Sequence, residues 1–304
     1  MNKEEIIIAI DSISKYASQS KFSRLFATPF KYVYGIFYRN IYYKVTQKGR
    51  LKSVKTFWGD TIKVLLPASM DIYLIGGKTH DSEIRLAKFY VNYLNTGDDV
   101  LDIGSHIGYF SLLSATLSPK GTTVAIEASP STFNLLNENV KNKKNIITQN
   151  IAISNETGAI EFLEFPILYS EYNTLEQTQY ENEDWFKSIQ PTKVKINSKT
   201  GTSIIQEFNL QPQIIKIDVE GAEEKVIQGL IEYLRNNTSY VVMEFANEER
   251  GNVNHINAER LLKAIDYFPF KINSLGKLEE IGLETSVYVS ENKLESDNIV
   301  YCRV

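Results

Sequence analysis

One cysteine, Cys302, stands in 304 residues, so no intramolecular disulfide can form. The three histidines, His80, His106 and His255, make no zinc-ligand spacing with it or with each other. Both absences fit a reducing compartment. No stretch approaches the roughly 20 consecutive apolar residues of a membrane-spanning helix. Glu4 and Glu5 precede the first apolar run, which makes a poor secretory signal. The expected location is cytoplasmic, soluble or peripheral at the inner face of a membrane. A Walker lysine is missing, and so is the G-x-G-x-x-G run of a dinucleotide site.

What is present is ordinary for a globular chain: 43% hydrophobic, 12% aromatic and 23% charged residues. At about 150 residues per domain, the length allows one large domain or a domain with an appendage. The net charge of −4 hides an asymmetry. Residues 1–55 carry eleven Lys/Arg against three acids, and the remainder carries 22 against 34. The acidic part makes a nucleic-acid partner improbable on electrostatic grounds.

Residues 1–50 read as a basic, aromatic helical arm broken at Pro29. Packing on its own domain is the expectation, with dimerisation or contact with an anionic membrane surface as the alternatives. Val54–Trp58 and Thr61–Leu66 alternate around Gly59-Asp60 and read as a β-hairpin. From Asp99 onward, short apolar strands alternate with amphipathic helices, which calls for a parallel sheet covered on both faces. Residues 51–304 are taken as one domain.

The most informative segment is Leu101-Asp102-Ile103-Gly104-Ser105-His106-Ile107-Gly108-Tyr109. A buried strand, a glycine turn and a helix follow each other, as at the ligand crevice of a doubly wound sheet. Gly104 permits a sharp turn, and Gly108 lets the helix start close to the strand. Asp102 is expected at the strand end, facing the crevice. Glu127 closes the next strand 23 residues after Gly104, where a carboxylate can accept both hydroxyls of a ribose. A glycine loop without a phosphate cradle, plus an acid for a ribose diol, suits S-adenosylmethionine.

A second cluster reads Lys216-Ile217-Asp218-Val219-Glu220-Gly221-Ala222-Glu223, with Glu244 ending the following strand. Asp218, Glu220, Glu223 and Glu244 are expected at the crevice mouth. Two uses remain open: a carboxylate general base with its pKa raised by its neighbours, or a divalent cation such as Mg2+ held by Asp218, Glu220 and Glu244. Helix capping is the bland reading for Glu223. Lys216 is expected to face away from Asp218 and to serve in a structural ion pair. His80 and His255 are expected at the surface.

These motifs resemble the FkbM family of S-adenosylmethionine-dependent methyltransferases, from about residue 55 to the end. Leu101–Gly108, Glu127-Ala128-Ser129-Pro130, the Lys216–Glu223 run and Met243-Glu244 carry the likeness, the Lys216–Glu223 run most specifically. The resemblance implies a class I methyltransferase fold: a Rossmann-like, mostly parallel seven-stranded sheet with helices on both faces. It also implies O-methylation, often of sugars or natural-product hydroxyls. The expected cofactor contacts are then Asp102, Gly104, Ser105, His106, Gly108, Tyr109, Glu127, Ala128, Ser129 and Asp218. The expected catalytic set is Asp218, Glu220, Glu244 and His106. Two positions depart from the family: Gly104-Ser105-His106 replaces its usual Gly-Ala-Asn, and Ile204 stands where an Asp is common.

Residues 164–192 join two strands and are too long for a plain connection. They are rich in aromatics and acids and read as a lid, with Tyr169, Tyr172 and Trp185 as expected contacts to a carbohydrate or glycosylated acceptor. A non-sugar natural-product or lipid hydroxyl, or an inactive methyltransferase-fold interaction module, are the alternatives.

Overall fold

The chain opens with a capped helix. In the computed structural model, which describes residues 1–174, 189 and 191–303, the Asn2 side chain accepts from the Glu5 amide while the Glu5 carboxylate accepts from Asn2. This capping box starts α1 (Lys3–Ala17). Ile6, Ile10, Ile13 and Tyr16 recur at helical spacing and are buried, packing the helix against α6 (Asp81–Tyr93). The Lys88–Asp11 ion pair, at 2.6 Å, joins the two.

The rest of the arm behaves differently. Breaks fall at residues 18–20 as well as before Pro29, giving α2 (Lys21–Ala27) and α3 (Pro29–Phe37). Pro29 begins α3 because the first turn of a helix needs no N–H from it. A π-turn over Tyr38–Tyr42 follows, closed by the Tyr43 amide on the Tyr38 carbonyl. It places Tyr38 and Tyr43, five residues apart, both inward. α4 (Tyr43–Thr46) ends the arm.

β1 (Arg50–Lys55) and β2 (Thr61–Leu66) form the expected hairpin. Its loop is residues 56–60 rather than Gly59-Asp60 alone. Trp58, expected in a strand, lies in that loop, buried, with Nε1 donating to Asp60 at 2.8 Å. α5 (Met70–Ile75) leads into α6.

The strands and helices that follow are β3 (Asp99–Ile103), α7 (Tyr109–Leu117), β4 (Thr123–Ile126), α8 (Pro130–Val140), β5 (Ile146–Gln149), β6 (Ala152–Ile153), β7 (Gly158–Glu164), β8 (Thr192–Lys199), α9 (Gly201–Glu207), β9 (Pro212–Ile217), α10 (Glu223–Asn236), β10 (Tyr240–Ala246), α11 (Val253–Lys263), β11 (Phe268–Ile272), β12 (Leu278–Glu280), α12 (Thr285–Glu291) and β13 (Ser296–Cys302). The main sheet has the order β12-β11-β13-β10-β9-β3-β4-β5. Strands β5, β4, β3, β9 and β10 are parallel, and β13 runs against both of its neighbours. Among the described residues the expected seven strands become eight, because the three-residue β12 turns back on β11 as an added edge. A small sheet, β6-β8-β7, stands apart, and residues 165–191 connect its antiparallel pair β7 and β8.

Alternation along the strands sorts the core into two layers. Val100, Ile214, Val242 and Val300 face one, with α1, α6 and α7. Leu101, Ile103, Ile215, Ile217 and Met243 face the other, with α9, α10 and α11. The chain leaves β3 toward β4 on one side and meets β9 on the other. That reversal opens a crevice at the carboxyl ends of the strands.

Candidate active site

A cavity of about 730 Å³ opens at that reversal, lined by Gly104, His106, Glu127, Ala128, Asp218, Glu220 and Glu244 together with residues from the arm and α5. Strands β4, β3, β9 and β10 stand side by side beneath it, so its two ends lie roughly 14 Å apart at ordinary strand spacing.

The β3–β4 end is made largely of backbone. Gly104 has φ +77°, and a Cβ there would sit 1.7 Å from the Asp218 carbonyl oxygen. No other residue fits where the two strand ends come so close. Glu127 is buried, and its two carboxylate oxygens accept from the amides of His106 (2.8 Å) and Ser129 (2.9 Å). Desolvation raises its pKa to about 7 against those two hydrogen bonds. Each oxygen keeps acceptor capacity beyond its one N–H. His106, at φ +48°, is held neutral, with its pKa lowered to about 4 by desolvation and then by the Lys78 charge. Ile126, Ile151, Ile153 and Phe162 give this end an apolar wall.

Beneath it lies a buried charge pair. Lys216 Nζ is 3.1 Å from Asp218 and 3.5 Å from Asp102. Residues two apart on a strand share a face, so the expectation that Lys216 faces away from Asp218 is corrected. Its part in an ion pair stands. Asp102 is also corrected: its carboxylate is buried behind the cavity, accepting from Ser111 Oγ at 2.5 Å. Burial opposes ionisation of Asp218, but Lys216 and Lys78 outweigh it and hold its carboxyl below the usual range.

Four other expected cofactor contacts lie behind the cavity wall. Ser105 Oγ donates to the Asp102 and Ile126 carbonyls. Gly108, at φ +87°, lets Leu136 of α8 approach. The Tyr109 ring packs on Trp58 at 5.1 Å. Ser129 caps α8. These residues shape the loop rather than present side chains to a ligand.

The β9–β10 end is made of side chains. Glu220 and Gly221 take successive left-handed conformations, φ +52° and +93°, an arrangement uncommon for a glutamate. Thr174 donates to the Glu220 carbonyl. Asp218, Glu220 and Glu244 each offer an oxygen within 4.8 Å of the others, so these three expected acids do converge. Glu223 does not join them. It is buried in α10, accepts from the Gly221 amide at 3.1 Å and faces His255, 3.5 Å away. Of the capping reading, only the place is observed: Glu223 is an acid in the first turn of α10, with no side-chain cap bond. His255, expected at the surface, is buried against Phe245. His80 is exposed, at the cavity mouth.

Sequence reasoning missed the cations here. Arg250 lies 3.2 Å from Glu220 and 3.5 Å from Glu244. Ser296 donates to Glu244, since β13 pairs Ser296 with Ala246 beside it. Arg24, Arg39 and Lys78 line the same cavity. Asn247, which caps the turn carrying Arg250, was the one local signal available. Of the expected lid contacts, Tyr169 packs on the Leu163 and Phe165 cluster, Tyr172 lies in a 3₁₀ turn over Ile167–Tyr172, and Trp185 lies outside the described residues. Ile204 is fully buried in α9.

A carboxylate with spare acceptor capacity, a glycine floor and an apolar wall fit an adenosyl group at the β3–β4 end. The acidic end fits an added dication less well. Arg250 already spans two of its three carboxylates, and Lys216 holds the third.

The family model for the methyltransferase FkbM domain matches residues 102–269, more than half of the chain. The hexuronic acid methyltransferase AglP of Haloferax volcanii is 29% identical over 150 residues, covering 48% of this chain and 56% of that protein. Methyltransferase 1 of Beauveria bassiana is 28% identical over 143 residues, covering 43% and 57%. The matches thus span little more than half the length of these relatives. The solved FkbM methyltransferase of Methylobacillus flagellatus aligns over 77% of this chain and 52% of its own, with 11% identity and a TM-score of 0.44. The chain belongs to the FkbM methyltransferase family.

Proposed function

We propose that the protein is an S-adenosylmethionine-dependent O-methyltransferase acting on a hydroxyl of a sugar, in a glycan or a glycosylated metabolite. The observation that carries this reading is one cavity with Glu127 at its β4 end and Asp218, Glu220 and Glu244 across the strand ends. The sugar-directed name of the Haloferax relative supports the acceptor class.

Bound S-adenosylmethionine supplies a methyl group on a sulfonium for in-line displacement by an acceptor oxygen. The chain's own residues then have separate tasks. Glu127 would hold the cofactor's ribose hydroxyls, and Gly104 lets the β3 and β9 ends close together beneath it. Asp218, held ionised by Lys216, orients the acceptor and is a weak base. Glu220, with Arg250 and Glu244 beside it, receives the hydroxyl proton as the oxygen loses it. Holding the reacting oxygen in line supplies much of the rate, and proton removal supplies a further factor of about 10²–10⁴. His106 is neutral near pH 7 and acts through its backbone amide on Glu127. No step is assigned to a metal ion.

The test is transfer of labelled methyl from S-adenosylmethionine to a panel of neutral and uronic-acid oligosaccharides, with and without a chelator. Labelled, base-stable methyl ether on a sugar in both conditions is expected. Label appearing only on non-sugar hydroxyls would reject the acceptor class, and loss of activity with chelator would reinstate a cation.

A further inference from the structure

The basic arm holds a surface that the proposed reaction does not use. α1 buries its apolar face on α6, whereas α2 to α4, with Tyr38 and Tyr43 inward, leave a second apolar stripe outward. Phe22 is 76% exposed, Phe26 79% and Phe30 90%. Val33, Phe37, Ile41 and Val45 continue the stripe at three- and four-residue steps and are exposed as well. Scattered single hydrophobics on a surface are ordinary, whereas a contiguous stripe of this length marks an interaction face.

The charge around the stripe selects its occupant. Between Asp11 and Asp60 the chain has ten Lys/Arg and no acid. Lys31, Lys44 and Lys48 are exposed there. A second copy seated face to face would bring two such basic sets together, while an anionic lipid surface neutralises them. Aromatic side chains flanked by lysine and arginine are suited to the headgroup boundary. Among the described residues no helix is long and apolar enough to cross a membrane, so the contact is one of lying on the surface.

The same helices also carry part of the cavity wall, through Arg24 on α2 and Arg39 on the π-turn. We infer that α2 to α4 dock on an anionic bilayer surface and hold the cavity mouth beside it, where an acceptor borne by the membrane can reach the acids. The docking stands apart from the methyl-transfer reading. Only the presentation of an acceptor rests on it.

The experiment is co-sedimentation of the full chain with vesicles of phosphatidylcholine alone and of phosphatidylcholine mixed with phosphatidylglycerol. It is repeated at raised salt and with the triple variant Phe22→Ser, Phe26→Ser, Phe30→Ser. Pelleting with the anionic vesicles, weakened by salt and by phosphatidylcholine alone, is expected. The triple variant should lose at least about 10-fold in partitioning, with an unchanged melting temperature because the three rings are exposed. A second variant, Lys31→Glu with Lys44→Glu, should lose binding with the aromatic stripe intact. No pelleting of the parent chain, or equal pelleting of parent and triple variant, would overturn the proposal. So would a lipid-free dimer in light scattering that the triple variant dissolves, since a second copy would then own the face. Loss of vesicle binding with cofactor-analogue affinity retained separates this result from failure of the methyltransferase reading.

Discussion

The two ends of the cavity are built by different means. At the β3–β4 end a carboxylate is held by two backbone amides, and a glycine is required by a carbonyl 1.7 Å from where its Cβ would lie. At the β9–β10 end three carboxylates are held by side chains, chiefly Lys216 and Arg250. The first end is built from backbone, of the β3–β4 unit and of the Asp218 carbonyl that meets Gly104. The second exists only when segments far apart in sequence come together. The difference predicts that damage at one end removes cofactor affinity and damage at the other removes turnover.

The buried pair under both ends sets the largest effect. Lys216→Met leaves Asp102 buried without its cation, which costs about 3–5 kcal/mol. Urea unfolding should show that loss, and a change below about 1 kcal/mol would mean Asp102 and Lys216 are not coupled. At the acid end, Glu220→Gln should lower turnover by about 100-fold or more while leaving S-adenosylhomocysteine affinity intact. Equal losses in both quantities would erase the proposed division between the ends.

A smaller effect separates the ends by pH. Burial raises the folded-state pKa of Glu127 from 4.5 to about 7. Between those values the folded chain binds the extra proton, so Glu127 makes stability fall as pH rises through that window. Its ionised form accepts hydroxyl hydrogen bonds better, so S-adenosylhomocysteine affinity should rise as pH passes about 7. Glu127→Gln should flatten both trends in calorimetry across that range. His106 adds nothing to the profile near neutrality, because it stays uncharged above about 4.

Much of this was legible in the sequence, for reasons that particular residues make plain. Asp99–Ile103 was readable to the residue because a buried parallel strand is a continuous apolar run. Gly104 and Glu127 were readable because a strand-turn-helix-strand unit fixes their spacing. The convergence of Asp218, Glu220 and Glu244 followed from two adjacent parallel strands ending at the same edge. What escaped was non-local. Arg250 reaches the acids from the turn after β10, and Arg24 and Arg39 arrive from an arm whose docking no local pattern encodes. Asp102 and Glu223 were placed in the crevice by sequence position, yet each turns inward to a partner supplied by another element. The loop of the first hairpin is longer than Gly59-Asp60 because Trp58 prefers burial against Tyr109 to a place in the ladder.

The most direct test is isothermal titration of the purified protein with S-adenosylhomocysteine, compared with Glu127→Ala. The parent chain should bind, and the variant should lose at least about 10-fold, or about 1.4 kcal/mol. No binding by the parent, or equal binding by both, would contradict a cofactor site at the β3–β4 end.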